Sequence, residues 1–319
     1  MKNIFITGGA GFIGSNLVDS LLLNKNIKKI TVYDSLVTGR KEFLVNALKD
    51  ERVNFIEGNI LNKDLLSEAI KNHDFVFHFA ANADVRYGWE HPSKDLEVNT
   101  IGTFNLLEAM RSHDVQKICF SSTGSIYGEA TIFPTPENHP IPSQTSLYGA
   151  SKISAESLIS AYTEGCEMQA WVFRFVSVMG ARYTHGHLFD FYQKLKQNPS
   201  ELKILGDGSQ NKSYIHINDL ISGMIISINS FDQQFNVINL GTDQTMTVLK
   251  SIETISSAMN VNPIIIKENK ERGWIGDNPY ILLDIKKLQS TSWKQSISIQ
   301  EAVKLTIDWF DDNPWVFES

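Results

Sequence analysis

The segment SLYGASKISAE, residues 146–156, carries a phenol and an ammonium four residues apart, Tyr148 and Lys152. On a helix, residues i and i+4 share one face. An ammonium beside a phenol favours the phenolate and lowers a pKa that is ~10 when unperturbed. Tyrosine then becomes a proton acceptor usable near neutral pH. The same spacing is common on surface helices, so the pair takes its meaning from what the chain places near it.

Two further sets qualify. Residues 7–14 read TGGAGFIG, with Gly8, Gly11 and Gly14 at G-x-x-G-x-x-G spacing. The first glycine suits a tight turn, the second a close approach of backbone to a pyrophosphate, the third tight packing of helix on strand. The phosphates then meet the N–H groups and dipole of a helix N-terminus. Asp34 follows Gly14 by twenty residues. A carboxylate there accepts hydrogen bonds from both adenosine ribose hydroxyls and repels a 2′-phosphate, which selects NAD over NADP. The third set is SSTGSIYG, residues 121–128, where Ser121, Ser122 and Thr123 are candidates to hydrogen-bond a reacting hydroxyl.

The elements that must position these groups follow a regular alternation. Apolar, β-branched runs at 3–7, 29–34, 53–57, 75–80, 117–122 and 170–175 read as strands. Helix-like segments lie between them at 12–24, 41–49, 63–71, 94–112 and 148–163. Near-continuous apolar strands separated by helices predict an α/β fold, a doubly wound parallel sheet covered on both faces. Ligands of such sheets lie beyond the carboxyl ends of the strands, where the glycine loop and Ser121–Thr123 fall, and Tyr148 and Lys152 follow the fifth strand by the usual interval. After residue 176 the alternation weakens, with helices expected near 188–197 and 298–310 and a strand–helix–strand passage between. The expected division is a first domain of 1–175, with 214–242 returning to it, and a smaller α/β substrate domain of 176–213 and 243–319.

Composition narrows the function classes. The chain has 319 residues, 42% hydrophobic and 20% charged, with a formal net charge of −7. It has no Lys/Arg-rich block, so nucleic acid and anionic membranes are not expected partners. Two cysteines, Cys119 and Cys166, make neither a disulfide framework nor a metal cluster. No apolar run approaches the ~18 residues of a membrane span. A cytoplasmic location is the expectation.

Taken as an ordered set, TGGAGFIG, Asp34, HFAANADV (78–85), Asn99, SSTGSIYG, YGASK, LGDGSQ and the region around RGWIGD resemble the extended short-chain dehydrogenase/reductase family, in its nucleotide-sugar epimerase/dehydratase branch. The resemblance implies a Rossmann domain holding NAD and a smaller domain holding a nucleotide diphosphate-sugar. Carried over by position, Tyr148 is the catalytic base, Lys152 its partner and a ligand of the nicotinamide ribose, and Thr123 the holder of the reacting sugar hydroxyl. Gly8, Gly11, Phe12, Ile13 and Gly14 line the cofactor with Asp34, Ala80, Ala81, Asn99 and Ser121. Asn59 and Ile60 fall at the adenine.

The branch contains several chemistries. Its 4,6-dehydratases carry Asp-Glu after the threonine, and its decarboxylases commonly a Glu in the second place. Gly124 and Ser125 stand there in this chain and supply no acid or base. What the resemblance then implies is a 4-epimerase like the UDP-glucose 4-epimerases. Such an enzyme acts on a UDP-hexose or hexuronate through a 4-keto sugar. A net reductase and a non-catalytic NAD-binding regulator are the alternatives. On the substrate side the expected contacts are Arg86, Thr123, Ser177, Arg182, Lys212 and Arg272. Ser177 replaces the asparagine usual in the branch, Lys212 replaces an arginine, and Trp274 and Ile275 look like an insertion beside Arg272. His185 and His187 resemble half of a metal site, with no further ligands, and are read as loop hydrogen-bonding groups; no metal is expected. Helix 94–112 is apolar on more than one face, and the resemblance implies a homodimer through helices 94–112 and 148–163.

Overall fold

The computed structural model describes residues 1–82, 88–270, 273 and 277–318. Six strands alternate with helices through the first half of the chain: β1 (Asn3–Thr7), β2 (Lys29–Asp34), β3 (Val53–Glu57), β4 (Phe75–His78), β5 (Lys117–Thr123) and β6 (Gln169–Phe175). Their helices are α1 (Phe12–Leu22), α2 (Lys63–Ala69), α3 (Pro92–Lys94), α4 (Gly102–Ser112) and α5 (Leu147–Cys166). Two differences from the sequence reading stand out. Residues 41–49 form two short 3-10 turns, Lys41–Leu44 and Ala47–Lys49, in place of a helix. The helix expected at 94–112 contains a π-helical stretch, Asp95–Ile101.

The second half supplies β7 (Ser177–Met179), α6 (His187–Gln197), β8 (Glu201–Lys203), β9 (Asn211–Lys212), β10 (Tyr214–His216) and α7 (Ile217–Ser230). It continues through β11 (Phe235–Leu240), β12 (Met246–Thr247), α8 (Val248–Ala258), β13 (Ile264–Ile266) and β14 (Tyr280–Ile281). α9 (Lys286–Gln289) and α10 (Ile299–Asp312) follow. The main sheet has seven strands in the order β11-β6-β5-β4-β1-β2-β3, all parallel. Strand β10 pairs with β7, outside that sheet, so only the later part of 214–242 joins it.

Alternation along the strands shows why both faces had to be covered. Ile4, Ile6, Phe75, Phe77, Cys119, Trp171 and Phe173 pack into a core with α1, α7 and the second lobe. Their neighbours Phe5, Val76, Ile118, Phe120, Ala170 and Val172 pack on the other face with Leu66, Leu106, Leu107, Met110, Ala155 and Ile159. A period of two with both phases apolar is what a doubly covered sheet requires.

Phe43 meets Trp309 and Trp315 at ring-centroid distances of 6.1 and 5.7 Å, which ties the first half of the chain to its C-terminal segment. Within the second half, Phe317 stacks on Phe189 of α6 at 4.6 Å. The edge strand β11 is also engaged on its outer side. Lys287 Nζ donates to the Val237 carbonyl (2.7 Å), and Asn239 N donates to Glu137 Oε1 (3.0 Å).

Candidate active site

The glycine loop joins β1 to α1 across the carboxyl end of β4. Gly8 has φ +70°, and a Cβ on it would lie 2.5 Å from Ala80 N. Only glycine combines that backbone conformation with that approach. A Cβ on Gly14 would lie 2.4 Å from Gly8 O and 2.6 Å from Gly9 Cα, backbone that has nowhere to move. Helix α1 starts at Gly11, with no side-chain cap and no acidic residue in its first turn. Its leading N–H groups are thus presented to an anion in a field that favours one. Phe12 is buried, meeting Tyr183 edge-on at 5.4 Å, and Ile13 packs against the core.

Asp34, at the end of β2, is buried. Its Oδ2 accepts from Ala10 N (2.9 Å) and its Oδ1 from Leu36 N (2.8 Å). Burial raises the carboxyl pKa, while these two backbone bonds act in the opposite sense. The carboxylate is therefore oriented beside the glycine loop before any ligand arrives. Asn59, expected at the adenine, is exposed, and its Oδ1 accepts from Leu61 N (2.9 Å) and so caps a turn. Ile60 is buried against Gly102. Ala80 and Ala81 continue from the end of β4, Ala80 N donating to Thr7 O (3.1 Å). A pyrophosphate at the α1 N-terminus and a ribose diol at Asp34 fit this constellation, so the residues present match a dinucleotide.

Tyr148 is the second residue of α5, whose N-cap Ser146 accepts from Gly149 N at 3.0 Å. Lys152 lies one turn further, buried, with Nζ 2.9 Å from the Ser121 carbonyl, 4.8 Å from the centre of the Phe120 ring and 5.9 Å from that of Tyr148. Thr123 lies beside Tyr148, and its hydroxyl favours the phenolate. Thr123 Oγ1 also accepts from Ser125 N (3.1 Å). The three groups read as catalytic are thus brought together at the carboxyl end of β5. Ser121 turns its hydroxyl back to the His78 carbonyl (3.2 Å) and contributes its own carbonyl to Lys152.

The electrostatics differ from the sequence expectation. Burial pushes the Tyr148 phenol up to about 12, opposed by Thr123 and reinforced by the charge of Asp95. Lys152 does not poise the phenol by itself. Burial pushes Lys152 down to about 8, opposed by Glu156 and Asp95.

Asn99, on the π-helical stretch, is buried and joins the catalytic helix to the loop after β4. Its Oδ1 accepts from Asn82 N (2.8 Å) and its Nδ2 donates to Ser151 Oγ (2.9 Å). Ser151 Oγ donates in turn to the Tyr148 carbonyl (2.8 Å). Behind Asn99 runs a polar chain that sequence reasoning missed. Thr103 Oγ1 donates to Asn99 O (2.6 Å), so it accepts from His78 Nε2–H (2.9 Å), and His78 Nδ1 accepts from Thr7 Oγ1 (2.8 Å). This order of donors fixes one neutral tautomer. Burial pushes His78 down to about 3, with the Lys152 charge acting in the same direction. The signal was present in FVFHFA, a histidine inside an apolar strand, which must find partners. The same signal marks Arg174 in AWVFRF, which ion-pairs with Glu156 of α5 at 2.7 Å.

On the substrate side the expected contacts have settings of their own. Ser177 is exposed on β7. Arg182 does not stand free over the site: its Nη2 donates to Asp19 Oδ2 on α1 at 2.5 Å. Lys212 donates to Asp277 Oδ1 at 2.6 Å, so its charge is balanced within the second lobe. Arg86 and Arg272, with Trp274 and Ile275, lie outside the described residues. His187 Nε2 lies 2.9 Å from Ser251 Oγ, and burial pushes its pKa down to about 4. His185 stacks on Tyr183. Among the described residues, no group of three or more His, Cys, Asp or Glu is placed to hold a metal ion. No described helix is long and apolar enough to cross a membrane.

Comparison with known proteins agrees with this geometry. A UDP-glucose 4-epimerase of Halalkalibacterium halodurans is 31% identical over 98% of this chain and 96% of its own length. The crystal structure of a UDP-glucose 4-epimerase from Thermotoga maritima, with UDP-glucose, superimposes with a TM-score of 0.87 at 30% identity, covering 98% of this chain and 99% of its own. A UDP-glucuronic acid 4-epimerase from Bacillus cereus, solved with UDP-glucuronic acid and NAD, has a TM-score of 0.89 at 26% identity, with coverage of 98% and 99%. The family model described as the NAD dependent epimerase/dehydratase family matches residues 4–241. With the glycine loop, Asp34 and the Thr123–Tyr148–Lys152 group in place, this chain belongs to the NAD dependent epimerase/dehydratase family.

Proposed function

We propose that the protein is an NAD-dependent epimerase that inverts C4 of a nucleotide diphosphate-sugar, a UDP-hexose or hexuronate, through a 4-keto sugar. The observation that carries this reading is a proton-transfer group with no acid or base at the two positions that follow Thr123. Thr123, Tyr148 and Lys152 converge, while the two positions after Thr123 are a buried glycine and a serine. Removal of water from C5 and C6 needs an acid and a base that Gly124 and Ser125 do not provide.

Thr123 holds the O4 hydroxyl and Tyr148 takes its proton. The protonated phenol later returns that proton to O4 once the keto sugar has turned over in the pocket. Gly8, Gly11, Phe12, Ile13, Gly14 and Asp34 hold the dinucleotide, with Ala80, Ala81 and Asn99 along its course. Lys152 binds the nicotinamide ribose beside the phenol. When bound, NAD supplies the hydride acceptor and donor for C4, and its ring charge opposes the burial that raises the Tyr148 pKa. The second lobe, 176–213 and 243–319, binds the nucleotide and sugar. Leu96, Ile101 and Phe104 expose apolar surface along the 92–112 helix, which supports a homodimer through that helix and α5.

The test is incubation of the purified protein with UDP-, GDP- and CDP-sugars without added cofactor, with products resolved by NMR. A C4-inverted product is expected. Turnover only on addition of reduced nicotinamide cofactor would overturn epimerisation in favour of net reduction.

A further inference from the structure

We propose that Glu156 is a positioning residue for the catalytic group: its carboxylate locks the end of β5 to α5 and, with Arg174, balances the charge around Lys152. This rests on the reading of Thr123, Tyr148 and Lys152 given under the proposed function.

Tyr148, Lys152 and Glu156 recur every four residues and so line one face of α5. Both oxygens of Glu156 are engaged inward. Oε1 accepts from Ser122 Oγ and from Arg174 Nε (3.2 Å), and Oε2 accepts from Arg174 Nη2 (2.7 Å). Ser122 and Arg174 face each other across the β5–β6 pairing. Ser122 stands between the residue whose carbonyl holds Lys152 and the residue whose hydroxyl meets Tyr148. One carboxylate on the helix therefore sets the position of two groups on the strand relative to two groups on the helix. The far side of Arg174 is secured as well. Its Nη1 donates to Tyr127 Oη (2.8 Å) and to the Glu137 carbonyl (2.9 Å).

The Arg174 and Glu156 side chains are 7% and 4% exposed, so water does not screen them. A buried pair is poor support for a stability role, since apolar replacements are often as stable. Charge at this depth acts on its neighbours. The groups facing Lys152 are Tyr148 and Glu156 on α5, Asp95 on the π-helical stretch and His78 on β4. Arg174 stands behind Glu156, and β5 offers only the Ser121 carbonyl and the Phe120 ring. His78 stays neutral. Two carboxylates thus stand against two cations. Neutralising Glu156 leaves one against two, and the surplus is relieved at Lys152, because a guanidinium does not deprotonate.

The test compares the NAD-loaded full chain with Glu156→Gln, Ser122→Ala and Tyr148→Phe. Glu156→Gln keeps the shape and removes the charge. Its kcat should fall roughly tenfold, as expected of a small misplacement of reacting groups, with KM for the sugar nucleotide unchanged. The basic limb of its kcat–pH profile should move down by about one unit. An NMR titration of ε-13C-lysine, with Lys152 identified through Lys152→Arg, should show the same downward shift without any turnover. Ser122→Ala keeps the ion pair and should lower kcat several-fold with the limb in place. A folded Glu156→Gln with wild-type kcat and an unmoved Lys152 titration overturns the proposal, even if its melting temperature drops. If Glu156→Gln does not fold, Ser122→Ala decides, and wild-type kcat there overturns the proposal. Full activity in Tyr148→Phe would instead bring down the site reading beneath it.

Discussion

The two sides of the candidate site use their polar groups differently. At the carboxyl ends of β1, β2 and β4 they are placed where a dinucleotide fits. The first N–H groups of α1 have no side-chain cap, the Gly8 backbone is bare against Ala80, and Asp34 is aimed by two backbone bonds. In the second lobe the cations read as substrate contacts are spent on internal pairs, Arg182 with Asp19 and Lys212 with Asp277. The lesson concerns what each ligand asks of a chain. A pyrophosphate and a ribose diol are met by backbone and one carboxylate, over a stretch of residues close in sequence. The side chains proposed to meet a sugar nucleotide come from distant segments, and two of them, Arg182 and Lys212, also hold those segments together.

Tyr148→Phe tests the contrast most severely, because it alters chemistry on the side read as pre-formed. Turnover should fall by 10²-fold or more, roughly the contribution of general acid–base catalysis. Bound NAD, measured by absorbance after denaturation, should stay constant. Near-normal turnover would remove the base from the mechanism. Next is Lys212→Met, which strands a buried carboxylate and should destabilise the fold by about 3 kcal/mol in urea titrations. Adding Asp277→Leu should recover most of that loss. A double variant no better than the single would mean that Lys212 is not chiefly an internal partner.

Gly14→Ala places a methyl against backbone on the cofactor side and should cost about 2 kcal/mol, in the range of overpacking, with NAD content falling in parallel. An alanine variant that retains NAD would show the loop to be less rigid than its contacts imply. A last comparison separates the two sides by pH. His78 and His187 have folded pKa values of about 3 and about 4, below the ordinary 6.5. On acidification the unfolded chain takes up these protons first, so the stability present above pH 6.5 is lost progressively as pH falls toward those folded values. Fully buried His78 should contribute a slope of about 1.4 kcal/mol per pH unit there, and half-buried His187 less. Urea midpoints between pH 6.5 and 4.5 should flatten more in His78→Gln than in His187→Gln. Equal flattening would erase the distinction.

The parallel sheet was legible because each strand is an apolar run bounded by turn residues, and the six strands of the first half lie where their patterns place them. The glycine loop and the Tyr148–Lys152 pair were legible for the same reason: spacing within one turn or one helix is a local property. Residues 41–49 were misread since Phe43, Leu44 and Ala47 imitate an amphipathic helix while packing as separate turns. The ion-pair partners of Arg182 and Lys212 were not legible because nothing near them in sequence announces Asp19 or Asp277. The phenol pKa lies above the expectation because burial, invisible in a spacing pattern, outweighs the Thr123 hydroxyl that favours the phenolate. Glu156 and Arg174 carried a readable sign, charge at positions that helix and strand periodicity turn inward, and were passed over.

The engaged outer side of β11 bears on how this protein resists aggregation. A bare edge strand is a template on which another chain can add, and heating or crowding would recruit it. Here the Lys287 ammonium and the Glu137 carboxylate occupy a carbonyl and an N–H of that edge, and α9 lies beside it. The opposite edge, β3, is only five residues long and carries exposed Asn54 and Glu57. Sheet-to-sheet growth is thereby discouraged at both ends, so the pairing proposed through helices would be a route of self-association distinct from fibril growth.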